Sequence, residues 1–219
     1  MVTRGAPEAF MFTALFNDMM YGVNTCITGK IVSFDATKNL ATVQPTVRSK
    51  FVQDGTVKYL DPPPIQNVPV VLPASVGGGL FVTVPIKEND PCLIVFAQRS
   101  IDNVVQLGGI QNPVDGDEPR ITRLRHHDMT DAICIPSITL VPNAIANWSQ
   151  TAIEIRNASK TVCVSVTPST VNITSPTVTV NATTVNVPSG DVIASGVSLK
   201  NHVHGGVTGG ISNTGVPVV

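Results

Sequence analysis

The chain has little of what most domains use to build a core or a charged surface. Aromatic residues make up 5% of its 219 residues and charged residues 13%, the latter about half the usual share. Such a chain either covers itself with Thr, Ser and Asn or buries much of its surface in an oligomer. Lys and Arg number 14 against 15 Asp and Glu, for a net charge of -1. That balance offers no basic footprint for nucleic acid or anionic lipid. The four cysteines, Cys26, Cys92, Cys134 and Cys163, are scattered and form no CxxC pair, which argues against a zinc ribbon. Long hydrophobic runs are missing. Phe10 to Met20 is apolar, but too short to span a bilayer, and it carries no cleavage pattern of a secretory leader. The expectation is a protein made in a reducing cytosol, its thiols free and buried.

What is present reads mainly as β-structure. The exception is residues 8 to 21, where Phe12, Leu15, Phe16 and Met19 match the spacing of one helical face. Phe10, Met11 and Met20 add apolar groups off that face. Such a helix either packs on its own domain or serves as an arm docking onto another subunit, since Met and Phe suit adaptable interfaces. Residues 25 to 112 read as a compact β domain. Ile27 to Phe34 and Ala41 to Val47 are strand-like and joined by the polar turn Asp35 to Leu40. Val68 to Leu72, Leu80 to Ile86, Cys92 to Ala97 and Val104 to Leu107 supply further short runs between Gly and Pro corners. About five short antiparallel strands suit a small OB-fold barrel. The triple glycine Gly77-Gly78-Gly79 is not succeeded by GK[ST], so it reads as a hairpin and not as a phosphate loop.

Residues 113 to 150 form a connector whose apolar run Ala132 to Leu140 is expected to pack back on the barrel. His126-His127-Asp128 has the residue types of a metal or catalytic cluster. Adjacent histidines on a strand point to opposite faces, however, and do not easily share one ion. No nucleophile motif accompanies them.

From Thr161 to Leu199 the only charge is Asp191, and Phe, Tyr and Trp are absent. Val or Ile alternates there with Thr, Asn and Ser. The pairs Val171 and Ile173, Val178 and Val180, and Val185 and Val187 recur every seven residues. An odd period would flip the faces at each repeat. A short turn between four-residue strands resets them, and Pro168, Pro176 and Pro188 sit where a lost ladder donor costs least. Strands this short and slender cannot close a core alone. Several copies wound about one axis would fill a narrow core with Val and Ile and cover every strand edge. The other readings are a monomeric β-solenoid, which needs longer rungs, and a disordered stalk, which the alternating pairs oppose.

After Leu199 comes Lys200-Asn201-His202-Val203-His204-Gly205-Gly206. Residues i and i+2 of an extended chain face one side, so His202 and His204 can present both imidazoles together. Three chains about a threefold axis would supply six nitrogens, an octahedral shell. Six neutral nitrogens suit Fe(II), Co(II) or Ni(II) better than Zn(II), which prefers four ligands. The alternative is a solvated, metal-free tail.

The stretch SGVSLKNHVHGGVTGGISNTGVP after a Val/Thr repeat resembles the apex of the central spike proteins of contractile-tailed bacteriophages, the baseplate assembly protein V group and related membrane-piercing spikes. TGKIVSFDATKNLATVQPTV, VPVVLPASVGGG, ENDPCLIVFAQRSID and RHHDMTDAICIPS extend the resemblance over nearly the whole chain. The resemblance implies an all-β homotrimer: an N-terminal OB-fold barrel, then an intertwined triple-stranded β-helix with a metal-capped apex. It implies one Fe(II) per trimer, held by His202 and His204 of three chains. Some relatives carry a lysozyme or other enzyme domain, for which this chain is expected to have no room, so it is not expected to be an enzyme. The expected divisions are a helical arm over 1–24, the barrel over 25–112, the connector over 113–150, the trimeric β-helix over 151–199 and the apex over 200–219.

The implied function is that of a structural tail-tip spike, assembled in the host cytoplasm and carried in the virion. Its expected partners are two more copies, tail hub and baseplate proteins, and in passing the host outer membrane, with no nucleic acid. Strands stack at ~4.7 Å, so roughly six rungs make a shaft of about 30 Å, comparable to the hydrocarbon core of a bilayer. Nothing here binds a nucleotide, so the energy for crossing comes from sheath contraction. The competing class is a trimeric fibre or adhesin that recognises a surface glycan. Against it, residues 200 to 219 hold no aromatic and only Lys200 as a charge, whereas sugar sites favour aromatic platforms and clustered polar groups.

Overall fold

The computed structural model describes residues 7–112 and 125–203. The chain divides into two units, Met1–Asn147 and Trp148–Val219.

The first unit opens with helix α1 (Pro7–Tyr21) and continues in strands β1 (Cys26–Asp35), β2 (Leu40–Pro45), β3 (Ser49–Gln53), β4 (Thr56–Leu60), β5 (Ile65–Pro69), β6 (Ala74–Ser75), β7 (Leu80–Phe81) and β8 (Pro91–Phe96). Helix α2 (Asp102–Leu107) and strand β9 (Ala132–Pro136) come next. Five strands form one antiparallel sheet in the order β5-β2-β1-β8-β9. Strands β2 and β8 alternate strictly between half-buried and buried positions, the period-two signature of a sheet with one face on a core. A register shift between Ile31 and Ser33 marks a bulge in β1, which bends the strand and increases its twist. The sheet curls into a half-barrel. Past β5, Val70 bridges Cys134 of β9 in parallel fashion, and the Val71 N–H donates to the Cys134 carbonyl at 2.9 Å.

Inside lie Ile31, Val43, Val68, Cys92, Ile94 and Cys134, with Ile65, Phe96, Ala41 and Ala132 around them. Apart from Phe96, none of these is aromatic, and four are Ala or Cys. Close backbone approach compensates. A Cβ on Gly29 would lie 2.5 Å from Cδ1 of Ile94 and 3.2 Å from Sγ of Cys92, so only glycine lets β1 press onto β8 there. Cys92, Cys134 and Cys163 are free and buried as expected; Cys26, at the start of β1, is free but exposed.

The turn from β1 to β2 is an Asx turn. The Asp35 carboxylate accepts from the Thr37 N–H at 2.9 Å and its hydroxyl at 2.6 Å, and Asn39 lies beyond them at φ 55°. Three details differ from the expectations drawn from sequence. Val104 to Leu107 is not a strand but the end of α2, closed by Gly108 and Gly109 at positive φ. Acidic Asp102 in its first turn favours the helix, and a four-residue apolar run does not discriminate helix from strand. Leu80 to Ile86 holds only the two-residue strand β7, paired with β6 around the triple glycine. The hairpin β3–β4 is additional to the expected strands. It turns at Asp54 and Gly55, both with φ positive, the signature of a type I′ turn.

The excursion between β8 and β9 is tied down by a buried carboxylate. Asp131 has no exposed side-chain surface. It accepts from Nε of Arg125 at 3.0 Å, from the Arg125 Nη2 and from the Ile101 N–H at 3.1 Å. Arg125 also reaches the Ser100 hydroxyl at 3.0 Å and Asp102 at 2.9 Å. The carboxylate bonds, that to Asp131 first, raise the pKa of its guanidinium well above the ordinary range.

The second unit holds β10 (Ile153–Arg156), β11 (Cys163–Val166) and β12 (Val171–Thr174), each of four residues, in an antiparallel meander. A two-strand hairpin completes it, β13 (Ile193–Ala194) and β14 (Val197–Ser198). No strand lies between Thr174 and Ile193. Within the single chain Val171, Ile173, Val178, Val180, Val185 and Val187 are all exposed.

Removing either member of the Arg125–Asp131 pair tests which group depends on the other. Arg125→Ala strands a fully buried charge and is expected to cost about 3–5 kcal/mol. Asp131→Asn keeps the packing and leaves an arginine that reaches solvent, so it is expected to cost less. Chemical denaturation monitored by circular dichroism checks both. Equal losses would show that the buried carboxylate depends on the arginine no more than the arginine depends on it.

Candidate metal centre at the tip

The tip is built on the β13–β14 hairpin. Its turn residues Ser195 and Gly196 have φ of 49° and 86°, as a two-residue type I′ turn requires. Asp191 stands just before the hairpin. Its carboxylate accepts from the Ser198 hydroxyl and, at 3.0 Å, from the Lys200 N–H. These bonds, the Ser198 hydroxyl first, hold its carboxyl below the usual carboxylate range. The Leu199 N–H donates to the Val192 carbonyl at 2.8 Å and continues the hairpin by one more bond. An open cleft of about 480 Å³ lies alongside, lined by Val185, Val187, Val192 and Leu199 with Asp191 and Lys200 at its polar side.

Ser198 organises the turn from Leu199 to His202. Its Oγ accepts from the Asn201 N–H at 2.8 Å. Its carbonyl accepts from the His202 N–H at 3.1 Å. Nδ1 of His202 lies 2.9 Å from the Ser198 carbonyl and 3.0 Å from the Leu199 carbonyl. A carbonyl oxygen only accepts, so Nδ1 carries the proton and the neutral ring's lone pair is on Nε2. A ring nitrogen bonded to a backbone carbonyl, with the other presenting its lone pair, is the arrangement of a metal-ligating histidine. The residue fits a metal as far as one ligand can. His204, its expected companion, lies outside the described residues. Asp191 and Ser198 join the tip without any spacing motif to announce them, although Asp191 stands out in the sequence as the lone charge of the ladder.

The other histidine cluster is used differently. The Asn24 N–H and side-chain amide donate to the His127 carbonyl at 3.2 and 2.8 Å, and Nδ1 of His127 lies 3.1 Å from the Asn24 carbonyl. Asp128 accepts from the N–H and hydroxyl of Thr130 at 2.8 and 2.6 Å. His127 and Asp128 thus hold the root of α1 and a turn. No group of three potential metal ligands occurs among the described residues.

Two families match the chain. The phage protein Gp138 N-terminal domain covers residues 27–137, half of the chain. The GpV apex motif covers residues 196–218, a span that includes Ser198, His202 and His204. No curated protein matches. Matches to these two families together define a structural protein of the phage tail spike. The chain belongs to the Gp138 family of phage central spike proteins. Its place is therefore in the virion, among baseplate proteins.

Proposed function

We propose that the protein is a homotrimeric, non-enzymatic spike that pierces the host outer membrane when the tail sheath contracts. The observation that carries this reading is the exposed row of Val and Ile pairs in a segment whose only charge is Asp191. One chain neither buries those side chains nor gives residues 175–192 a ladder. Two further copies would do both, winding residues 151–199 into a triple-stranded β-helix. Intertwined chains cannot separate by unzipping one strand, which suits a part that must transmit force. In this reading residues 25–112, with β9 from the connector over 113–150, form the OB-type barrel. The strand order β5-β2-β1-β8-β9, with a parallel bridge between the two ends, supports it.

At the apex over 200–219, His202 and His204 of three chains would hold one Fe(II) in an octahedral shell of imidazole nitrogens. The tautomer of His202 and the match to the apex motif support that assignment. The bound ion would cross-link three chain ends where fraying begins, a structural and not a catalytic use. Residues 1–24 are the arm to the tail hub. Phe10 and Tyr21 are 79% and 89% exposed and the other large side chains of α1 are exposed with them.

Three outcomes are expected. A chain lacking residues 1–112 still sediments as a trimer; a monomer would refute the intertwined shaft. Deleting residues 8–21 leaves the barrel's melting nearly unchanged and abolishes incorporation into tails; an unfolded barrel would make the helix part of the core instead. Elemental analysis finds one iron per trimer, lost in the His202→Ala, His204→Ala double variant while the trimer persists. A metal-free trimer that binds glycans would instead make the protein a fibre or adhesin.

A further inference from the structure

The geometry of the tip assigns Asp191 and Ser198 as positioning residues that set the tautomer and aim of His202. This inference rests on the reading of His202 as a metal ligand, but its first observable does not need the metal. Asp191 sits eleven residues before His202 and outside the matched apex motif. Its bonds go to the turn and not to the imidazole. It acts through Ser198, whose hydroxyl donates to the Asp191 carboxylate and accepts from the Asn201 N–H at 2.8 Å. The carboxylate also holds the Lys200 N–H at 3.0 Å. Residues 198, 200 and 201 are thereby fixed to one anchor.

The carbonyls of Ser198 and Leu199, which both face Nδ1 of His202, belong to that fixed turn. Two successive acceptors define the plane of the ring as well as the position of its proton. If the turn relaxes, both acceptors move, and the proton is no longer held to Nδ1 over Nε2. The wrong tautomer puts a proton on the nitrogen that must give a lone pair to the metal. A carboxylate is suited to the anchor because it accepts several bonds at once, and charge-assisted bonds are the stronger kind. Its solitary occurrence in the uncharged ladder from Thr161 to Leu199 then has a local reason.

The test uses the full chain with Asp191→Asn, Ser198→Ala and Ser198→Thr. In metal-free wild-type trimer, nitrogen NMR is expected to show His202 as a single Nδ1–H tautomer, its signals assigned by their loss in His202→Ala. Asp191→Asn and Ser198→Ala are expected to give a tautomer mixture. Their Fe(II) affinity in a chelator competition should fall about 10–100-fold, with sedimentation still reporting a trimer. Ser198→Thr keeps the hydroxyl and is expected to retain the wild-type tautomer. A variant that fails to assemble is replaced by the other, since both act on the same link: Asn removes the charge and one of the two acceptor oxygens, and Ala removes the hydroxyl. An unchanged tautomer in Asp191→Asn or Ser198→Ala overturns the assignment. Wild-type trimer that takes up no iron refutes the metal reading alone, because the tautomer result still decides whether Asp191 and Ser198 position the ring.

Discussion

Four-residue strands, each carrying a pair of Val or Ile, set the terms for the second unit. A strand that short offers only two side chains to each face, and β-branched residues without aromatics cover little area. The meander β10–β11–β12 pairs its strands within the chain but leaves β10 and β12 one open edge each, and Val171 and Ile173 stay exposed on it. Farther along, Val178, Val180, Val185 and Val187 are exposed and lie in no strand at all. In a solitary molecule this would be an aggregation hazard, because open edges and alternating β-branched residues invite pairing with any similar chain. Pairing with identical chains in a closed array, as proposed, would turn the same property into assembly, and a trimer is the smallest closed array that would supply a six-nitrogen apex.

The first unit solves the opposite problem. It closes a core inside one chain from mostly small side chains, and so depends on close approach. Gly29 lets β1 lie against Ile94 and Cys92, and the bulge after Ile31 bends the sheet, whose far ends meet where Val70 bridges Cys134. The long excursion from β8 to β9 would otherwise loosen that closure. The buried Asp131 fixes both ends of it, taking bonds from Ile101 on one side and Arg125 on the other. A buried carboxylate is costly unless fully bonded. Here it has three donors, which is why it marks a tie and not a reactive site.

Patterns that depend on neighbours in sequence are legible without a structure. The polar turn after Asp35, the strand runs of β2 and β8, the helix α1 and the phage-spike resemblance all stem from local order. Patterns that depend on competition between near-equal states are not. Val104 to Leu107 has strand-like residues, but Asp102 before it and two glycines after it favour a short helix. The hairpin β3–β4 carries an Asp54-Gly55 turn signal, yet its strands are exposed on both faces and lack the alternation of burial that makes a strand stand out. At the tip, the HxH spacing singles out His202 and His204. The parts played by Asp191 and Ser198 depend on a hairpin folding back across the intervening residues, and spacing alone does not show that.

From Thr161 to Leu199, scarcity of charge links the ladder to its end. A spike surface of Thr, Ser, Asn and Val resists apolar contact less than a charged surface would, and it lacks the large apolar groups that would lodge in lipid. The same economy leaves few charged side chains from Thr161 to Leu199 that could anchor the end of the ladder. One carboxylate, Asp191, is retained where the ladder ends, and its bonds converge on the turn that carries His202. A metal among the neutral imidazoles of three such chains would restore strength at the apex by ligation, while adding no charged side chain to the surface of the shaft. In that view the uncharged ladder, the lone carboxylate and the histidine pair answer one mechanical demand: a narrow tip that neither adheres to lipid nor frays under load.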